Sequence, residues 1–398
     1  MRDLVDPTKS AFENRKWKVK VDCEDILLKC VDFAGTMQEV DILKRTDMPV
    51  DKRTGKYPYR FKIDNKILDT EERARNGLRP FDFSDEITVI KKLGEKYNFD
   101  VTLCALRKSG DSITKLPDYD RPLIFQGKGC NLHDWTETGG CVYCYVDADS
   151  NNPIAFGNSV WLTVDDILDT AEALREDASI RSGKELHRIR HSGGETTTEL
   201  DFTLEIAKGI EERGLEKLYL QFDTNLSTGK FIEKMIARGV YQGDILRQLA
   251  GYDVFVYAAF KGTSNQNIRN NTQAKLTVDD QIYSFGKLID AGLDVYPCIY
   301  NPDWQHLGEF VDKLDENFTN ASTRLRVEGL KWEYGPTICR LRAIADSRNM
   351  SLEEITEEYK RNEEENYNKG EELMRTHLQK SGLAYKEIDR TQYPITRA

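Results

Sequence analysis

Three cysteines near the middle of the chain stand in an order that is typical of metal ligands. Cys130, Cys141 and Cys144 follow the apolar run 122–125, and the last two form a CxxC pair. A closed zinc site takes four protein ligands, whereas a [4Fe-4S] cluster can be held by three cysteines that leave one iron open. Because no fourth cysteine lies near them in the sequence, the spacing favours an iron–sulfur cluster. A zinc-binding module without catalytic function stays open as the alternative.

The segments around these cysteines must position them, and from residue 121 onward apolar runs alternate with amphipathic stretches. Two of the amphipathic stretches end at a glycine, Gly214 and Gly292, as helices often do. Parallel strands need helical crossovers, so the pattern predicts an α/β fold with a parallel sheet covered by helices, closed or partly closed as a barrel. The six predicted strands are 122–126, 186–191, 217–222, 254–260, 294–300 and 324–327.

Polar residues and glycines follow the ends of these strands. In α/β barrels the chemistry collects at the carboxyl ends of the strands, so we expect these residues to share one rim. In strand order they are the three cysteines, then Gly193, Gly194 and Glu195, then Asp223 and Asn225, and then Lys261.

The cysteine loop and the Gly-Gly-Glu sequence resemble the cluster loop and the GGE motif of the radical SAM superfamily. Ten residues separate the first two cysteines here, instead of the usual three. The resemblance implies a partial (β/α)6 barrel that binds a [4Fe-4S] cluster and S-adenosylmethionine (SAM). It implies reductive cleavage of SAM to a 5'-deoxyadenosyl radical that takes hydrogen from an unidentified substrate, with an electron donor such as flavodoxin or ferredoxin.

The resemblance also assigns roles to the motif residues. Gly193 and Gly194 would let the backbone approach the amino group of the methionine moiety, and Glu195 would close the loop or accept a hydrogen bond. Tyr143, directly before Cys144, could lie against the adenine.

Two further strand ends are similar to those of the glycyl-radical activating enzymes. Asp223-Thr-Asn225 resembles their DTNG stretch and could bind the ribose hydroxyls or the methionine carboxylate, although Leu226 stands where that group has glycine. Lys261 resembles the lysine that would pair with the carboxylate. The alternatives are a capped turn for the first and a solvated side chain for the second.

Other groups have two interpretations each. His133 could be a fourth ligand, but a hydrogen-bonding loop residue is the commoner case. Cys298 could be a radical-site thiol or hydrogen donor, and Cys23 and Cys30 could hold an auxiliary cluster. Cysteines in apolar strands are more often core residues.

Composition limits the function. The chain has 398 residues and a formal net charge of −11, which argues against a broad electrostatic contact with nucleic acid. A tRNA- or rRNA-modifying radical enzyme stays open as an alternative on substrate. No signal peptide or membrane-spanning run is apparent, so we predict a cytoplasmic protein whose cysteines are reduced.

The sequence predicts three regions. Residues 1–120 read as a small α+β layer with strands at 17–22, 59–64 and 100–106 and a helix at 84–97. Residues 121–332 form the radical SAM core. Residues 333–398 have the closely spaced opposite charges of a C-terminal helical extension.

Overall fold

The structure is a computed structural model that describes most of the chain from residue 119 onward and separate segments before it. The ranges described are 4–22, 25–31, 87–89, 103–105, 107–108, 119–136, 139–155, 159–181, 186–330, 332, 335–386 and 388–398. Within these ranges no helix is both long enough and apolar enough to cross a bilayer.

Six parallel strands form the centre of the structure, as the sequence predicts. They are β6 (Tyr119–Phe125), β8 (Leu186–His191), β9 (Tyr219–Thr224), β10 (Val254–Phe260), β11 (Asp294–Tyr300) and β13 (Arg326–Glu328). The six strands are neighbours in this order, and every adjacent pair is parallel. Strand β13 lies at one end of the sheet, so the sheet is open and the barrel is partial.

Three of the six strands, β6, β9 and β13, differ in their bounds from the prediction, and two of these differences have a local reason. The third strand begins at Tyr219 because Lys217 has a φ of +64°, a left-handed conformation that extended backbone does not adopt. The last strand begins at Arg326 because residues Ala321–Arg324 form a short helix.

Helices connect these strands and cover one face of the sheet. On that face the strands contribute apolar side chains such as Ile189, Val256 and Val295 to one large hydrophobic cluster. The longer helices of the core are Val164–Arg181, Leu200–Glu212, Gly229–Ala237, Val278–Asp290 and Trp304–Asn317, and the shorter ones are Ala148–Asn151, Ile245–Ala250 and Asn265–Thr272.

The opposite face of the sheet, here called the inner face, carries polar and aromatic side chains. Strand register aligns these residues in pairs: Asp223 with Tyr257, Cys298 with Arg326, and Tyr300 with Glu328. Residues paired in register share a face because side chains alternate along a strand. The register therefore places Arg326 on the inner face.

The first region adds strands to two sheets. Strands β1 (Val19–Asp22) and β2 (Asp25–Val31) are antiparallel, and β2 pairs with β7 (Ser159–Thr163). Strands β3 (Ile87–Val89), β4 (Leu103–Ala105) and β5 (Arg107–Lys108) extend the main sheet beside β6 with antiparallel pairing. The boundary at residue 120 stays a prediction.

The predicted helix at 84–97 is wrong at residues 87–89, which form β3. Ile, Thr and Val fit a pleated sheet, and pairing with β4 satisfies their backbone groups, so tertiary pairing outweighs the local preference for a helix. Trp17 belongs to helix Pro7–Lys18 rather than to a strand. The strand predicted at 59–64 lies outside the described residues, as does Cys23.

The C-terminal region is helical, as predicted. Helix Gly335–Arg348 is followed by helix Leu352–Gln379, which begins with a capping box between Ser351 and Glu354. The long helix buries one stripe that includes Gly370, Met374 and Leu378 and leaves its charged side exposed. Short strands β12 (Phe318–Thr319) and β14 (Thr396–Arg397) then pair the chain end with the core. The boundary at residue 332 stays a prediction.

A buried ionic network joins helix Pro7–Lys18 to the core. The Nζ atom of Lys18 lies 2.6 Å from Oε2 of Glu199, and Nε2 of His191 lies 3.2 Å from Oε1 of the same carboxylate. All three side chains are fully buried. Burial works to raise the pKa of Glu199, but Lys18 and His191 outweigh it and lower that pKa below its ordinary value.

We expect Lys18→Met to lower the free energy of unfolding by about 3–5 kcal/mol, because it leaves the carboxylate of Glu199 buried without its ammonium partner. Lys9→Met on the exposed side of the same helix is the matched control. Adding Glu199→Gln should recover part of the loss. Urea denaturation tests this, and equal stability of the Lys18 and Lys9 variants would contradict it.

Candidate functional site

The three cysteines lie in one loop after β6, here called the cysteine loop (residues 126–147). The amide of Cys144 donates to the carbonyl of Cys141 at 2.9 Å, which closes the CxxC turn. The amide of Cys130 donates to the carbonyl of Asn151 at 3.2 Å. Cys141 is buried, and Cys130 and Cys144 are half-buried.

The three thiols influence one another. Burial raises the pKa of Cys130 above its ordinary value, and the thiols of Cys141 and Cys144 raise it further. Burial is also the largest cause of the raised pKa of Cys141. Two amides approach the sulfurs: Nδ2 of Asn225 lies 3.8 Å from Sγ of Cys130, and Nδ2 of Asn151 lies 3.7 Å from Sγ of Cys144.

This donor set fits an iron–sulfur cluster. Three thiols share one loop, and amide donors to sulfur are a common means of tuning such clusters. In the described part of the chain, no group of three or more His, Cys, Asp and Glu side chains surrounds a point that could hold a single metal ion. A [4Fe-4S] cluster does not require that arrangement, because each thiolate binds a different iron.

The Gly193-Gly194 turn lies against the backbone of the cysteine loop. Both glycines are left-handed, with φ of +80° and +66°. A Cβ on Gly194 would lie 2.5 Å from the carbonyl oxygen of Gly129 and 2.9 Å from that of Gly127, and these backbone atoms cannot turn aside as a side chain can. Gly194 is therefore required by the close approach as well as by its torsion.

The carboxylate of Glu195 joins the Gly-Gly turn to the end of β9. It is fully buried and accepts from Oγ1 of Thr197 at 2.5 Å, from Oγ1 of Thr224 at 2.7 Å and from the amide of Asn225 at 2.7 Å. Burial raises the pKa of Glu195, and these hydrogen bonds work against that rise. The contacts give the carboxylate a positioning role within the protein.

These contacts close a ring around the site. The amide of Glu195 donates to the carbonyl of Gly129 at 3.3 Å, and Gly129 precedes Cys130. The side-chain amide of Asn225 approaches the sulfur of Cys130, while the backbone amide of Asn225 donates to the carboxylate of Glu195. The ends of β6, β8 and β9 are thereby held together at one point.

Asp223 is already paired within the protein. Its Oδ2 accepts from Nη2 of Arg190 and from Oγ of Ser192, both at 2.6 Å. The predicted contact of Asp223 with ribose or carboxylate stays a prediction, and it would have to be made beside this ion pair. Leu226, which stands at the glycine position of the related motif, is buried with a φ of +58°. Leu226 therefore has a left-handed conformation that glycine adopts more readily.

Lys261 and Tyr143 lie together beside the cysteines. The Nζ atom of Lys261 is 6.0 Å from the ring centre of Tyr143 and 5.7 Å from that of Tyr300. Burial works to lower the pKa of Lys261, but the thiols of Cys141 and of other nearby cysteines outweigh it, so the pKa is raised and the side chain stays cationic. The hydroxyl of Tyr143 is buried and has no hydrogen-bond partner among the described residues. Adenine contact by this ring stays a prediction.

The histidine and the remaining cysteines have separate environments. Nδ1 of His133 accepts from the amide of Trp135 at 2.8 Å, and burial and Arg340 lower the pKa of His133 to about 4. Cys30 belongs to the main hydrophobic cluster, which supports the core interpretation. Cys298 is fully buried on the inner face, where burial raises its pKa to about 12. A role for Cys298 as hydrogen donor stays a prediction.

Sequence reasoning missed several residues that support the site. Arg190 could have been noticed because two arginines alternate in an otherwise buried strand. Asn151 and Arg340 have no local signal, since their contacts with the cysteine loop join segments that are separated along the chain.

Comparisons with known proteins agree with this geometry. Residues 126–314 match the family described as Radical SAM superfamily. This stretch, just under half of the chain, is a radical SAM domain. Enzymes of the radical SAM class use a [4Fe-4S] cluster and SAM. A search of curated proteins finds no match.

Two solved structures resemble the chain at low similarity. One is the cobalamin-dependent S-adenosylmethionine radical enzyme OxsB with aqua-cobalamin bound, at 14% identity and a TM-score of 0.36, covering 59% of this chain and 30% of that one. The other is OxsB with aqua-cobalamin and S-adenosylmethionine bound, at 15% identity and a TM-score of 0.36, covering 60% and 31%. The chain thus spans under a third of the length of these proteins.

We expect Gly194→Ala to lower the free energy of unfolding by about 3 kcal/mol, because it combines torsional strain with overlap of backbone atoms. Gly214→Ala is the matched control, since Gly214 has a similar φ of +61° but no described residue has an atom within 4 Å of an added Cβ. That control should cost only the torsional strain, about 1 kcal/mol. Equal losses in chemical denaturation would show that the close approach to Gly129 contributes nothing.

Proposed function

We propose that the chain binds one [4Fe-4S] cluster through Cys130, Cys141 and Cys144 and cleaves SAM reductively. The observation that carries this proposal is the ring of contacts that joins the cysteine loop to the Gly-Gly-Glu turn through Gly129 and Asn225. When bound and reduced, the cluster supplies the electron that splits SAM into methionine and a 5'-deoxyadenosyl radical. The protein supplies the geometry.

The residues around the cysteines divide into two roles under this proposal. Glu195 and Asn225 position the loop, because their polar groups are engaged with other residues of the protein. Lys261 and Tyr143 are the groups that would face SAM. A buried ammonium beside an aromatic ring suits a carboxylate and an adenine, and holding both would orient the sulfonium toward the open iron.

The inner face is the proposed substrate site. It begins beside the cysteine loop, where the rings of Tyr143 and Tyr300 are 5.9 Å apart, and continues to Glu328, which accepts from the hydroxyl of Tyr257 at 3.1 Å. The ion pair of Arg190 with Asp223 lies on the same face. This lining is polar and only partly exposed to solvent, so it suits a polar substrate.

The alternatives from the sequence differ in their support. A purely structural zinc module does not account for the radical SAM domain. A nucleic-acid substrate would need a basic surface, and the net charge of −11 works against one. Flavodoxin or ferredoxin remains the proposed electron donor.

We predict that Cys130→Ala, Cys141→Ala and Cys144→Ala each abolish binding of a full cluster, because three thiolates are the minimum that holds four irons in place. Cys339→Ala is the control, since Cys339 is exposed on helix Gly335–Arg348. Iron and sulfide are measured after anaerobic reconstitution. A full cluster in the Cys130 variant would exclude the proposed ligand set.

The reaction has its own test. Dithionite-reduced, cluster-loaded protein should convert SAM slowly into 5'-deoxyadenosine and methionine without substrate, because abortive cleavage needs no partner. A variant lacking all three cysteines should give neither product. Methylthioadenosine or S-adenosylhomocysteine as the sole product from the wild type would contradict the proposed cleavage.

A further inference from the structure

One arginine from the C-terminal region is buried against the cysteine loop. Arg340 lies on helix Gly335–Arg348 and is only 2% exposed. Its Nε donates to the carbonyl of Gly139 at 3.2 Å, Nη1 donates to that of Cys144 at 2.8 Å, and Nη2 donates to that of Val146 at 2.9 Å. The guanidinium therefore spans the CxxC turn from one side to the other.

This part of the loop depends on partners outside itself. Residues 139–146 form no helix or strand, and buried carbonyls without partners are costly. Oγ1 of Thr337, one turn before Arg340, also donates to the carbonyl of Cys144 at 3.2 Å. The planar fork of arginine can reach several carbonyls at fixed angles, which a lysine cannot do.

The positively charged guanidinium of Arg340 lies against the backbone of the cysteine loop. Besides the three loop carbonyls, Nη1 donates to the carbonyl of Pro336 at 3.2 Å, so all four acceptors are neutral. Within the described ranges no carboxylate forms an ion pair with this guanidinium. A buried positive charge without a counter-ion stabilises negative charge that develops nearby.

We propose that Arg340 is a positioning residue that clamps the CxxC turn and that its charge favours reduction of the bound cluster. One electron added by the donor makes the cluster more negative, and the guanidinium stabilises that state, so the midpoint potential becomes less negative. The clamp rests on the structure alone, while the effect on potential rests on the proposed function. Helix Gly335–Arg348 is thus part of the proposed cluster site.

Two substitutions test the hydrogen bonds of Arg340 to the loop separately from its positive charge. Arg340→Gln removes both, whereas Arg340→Lys keeps the charge and loses the fork. Arg342→Gln is the matched control because Arg342 is exposed on the same helix. In iron-free protein we expect hydrogen exchange of residues 139–146 to be about tenfold faster in both Arg340 variants, since each loses charge-assisted hydrogen bonds, and unchanged in the control.

The potential is measured by an EPR-monitored titration of cluster-loaded protein. Arg340→Gln should shift the midpoint to more negative values, while Arg340→Lys and the control should stay near the wild type. If Arg340→Gln does not fold, Thr337→Val replaces it in the exchange experiment, and Arg340→Lys is still compared with the Arg342 control. Exchange and potential equal to those of the Arg342 control would overturn the inference.

The outcomes also separate this inference from the proposed function. A wild type that binds no iron would refute the proposed function. The exchange experiment on iron-free protein would still show whether Arg340 holds the CxxC turn in place. A wild type that loads a cluster, with Arg340 variants indistinguishable from the control, would refute the clamp alone.

Discussion

The close approach of two backbone segments, Gly194 and Gly129, is the constraint on which the rest of the site depends. At this contact an added Cβ would lie 2.5 Å from a carbonyl oxygen, and the amide of the next residue, Glu195, donates to the same oxygen. Because Gly129 immediately precedes Cys130, this contact fixes where the first cysteine lies relative to β8. A larger residue at position 194 would separate the two motifs that define the domain.

Buried polar groups surround this contact on all sides. Glu195 links it to β9, and Nζ of Lys18 in helix Pro7–Lys18 donates to the carbonyl of Glu195 at 3.1 Å. On another side of the cysteine loop, Arg340 of helix Gly335–Arg348 donates to the carbonyl of Cys144. Regions that flank the core in sequence therefore both reach the site. Buried polar networks make the surrounding backbone rigid, and radical chemistry needs such rigidity to hold its reactants in one orientation.

Local patterns predicted much of the fold and of the candidate site. The strands Val254–Phe260 and Asp294–Tyr300 agree with the prediction residue by residue, since each is largely apolar and is followed by a polar residue. The helix predicted at 84–97 failed at residues 87–89, because strand pairing is decided by partners far away in sequence. The contacts of Arg340 could not be predicted for the same reason. The left-handed Leu226 shows that a glycine position can also be filled by a buried leucine whose packing offsets the strain.

The central claim is that three cysteines hold a cluster whose fourth iron is open to SAM. Mössbauer spectroscopy of protein reconstituted anaerobically with 57Fe measures it most directly, with and without added SAM. The account predicts four irons per chain, of which one changes its isomer shift when SAM is added while the other three stay the same. Four irons that all remain unchanged on adding SAM, or a protein that binds no cluster, would contradict it.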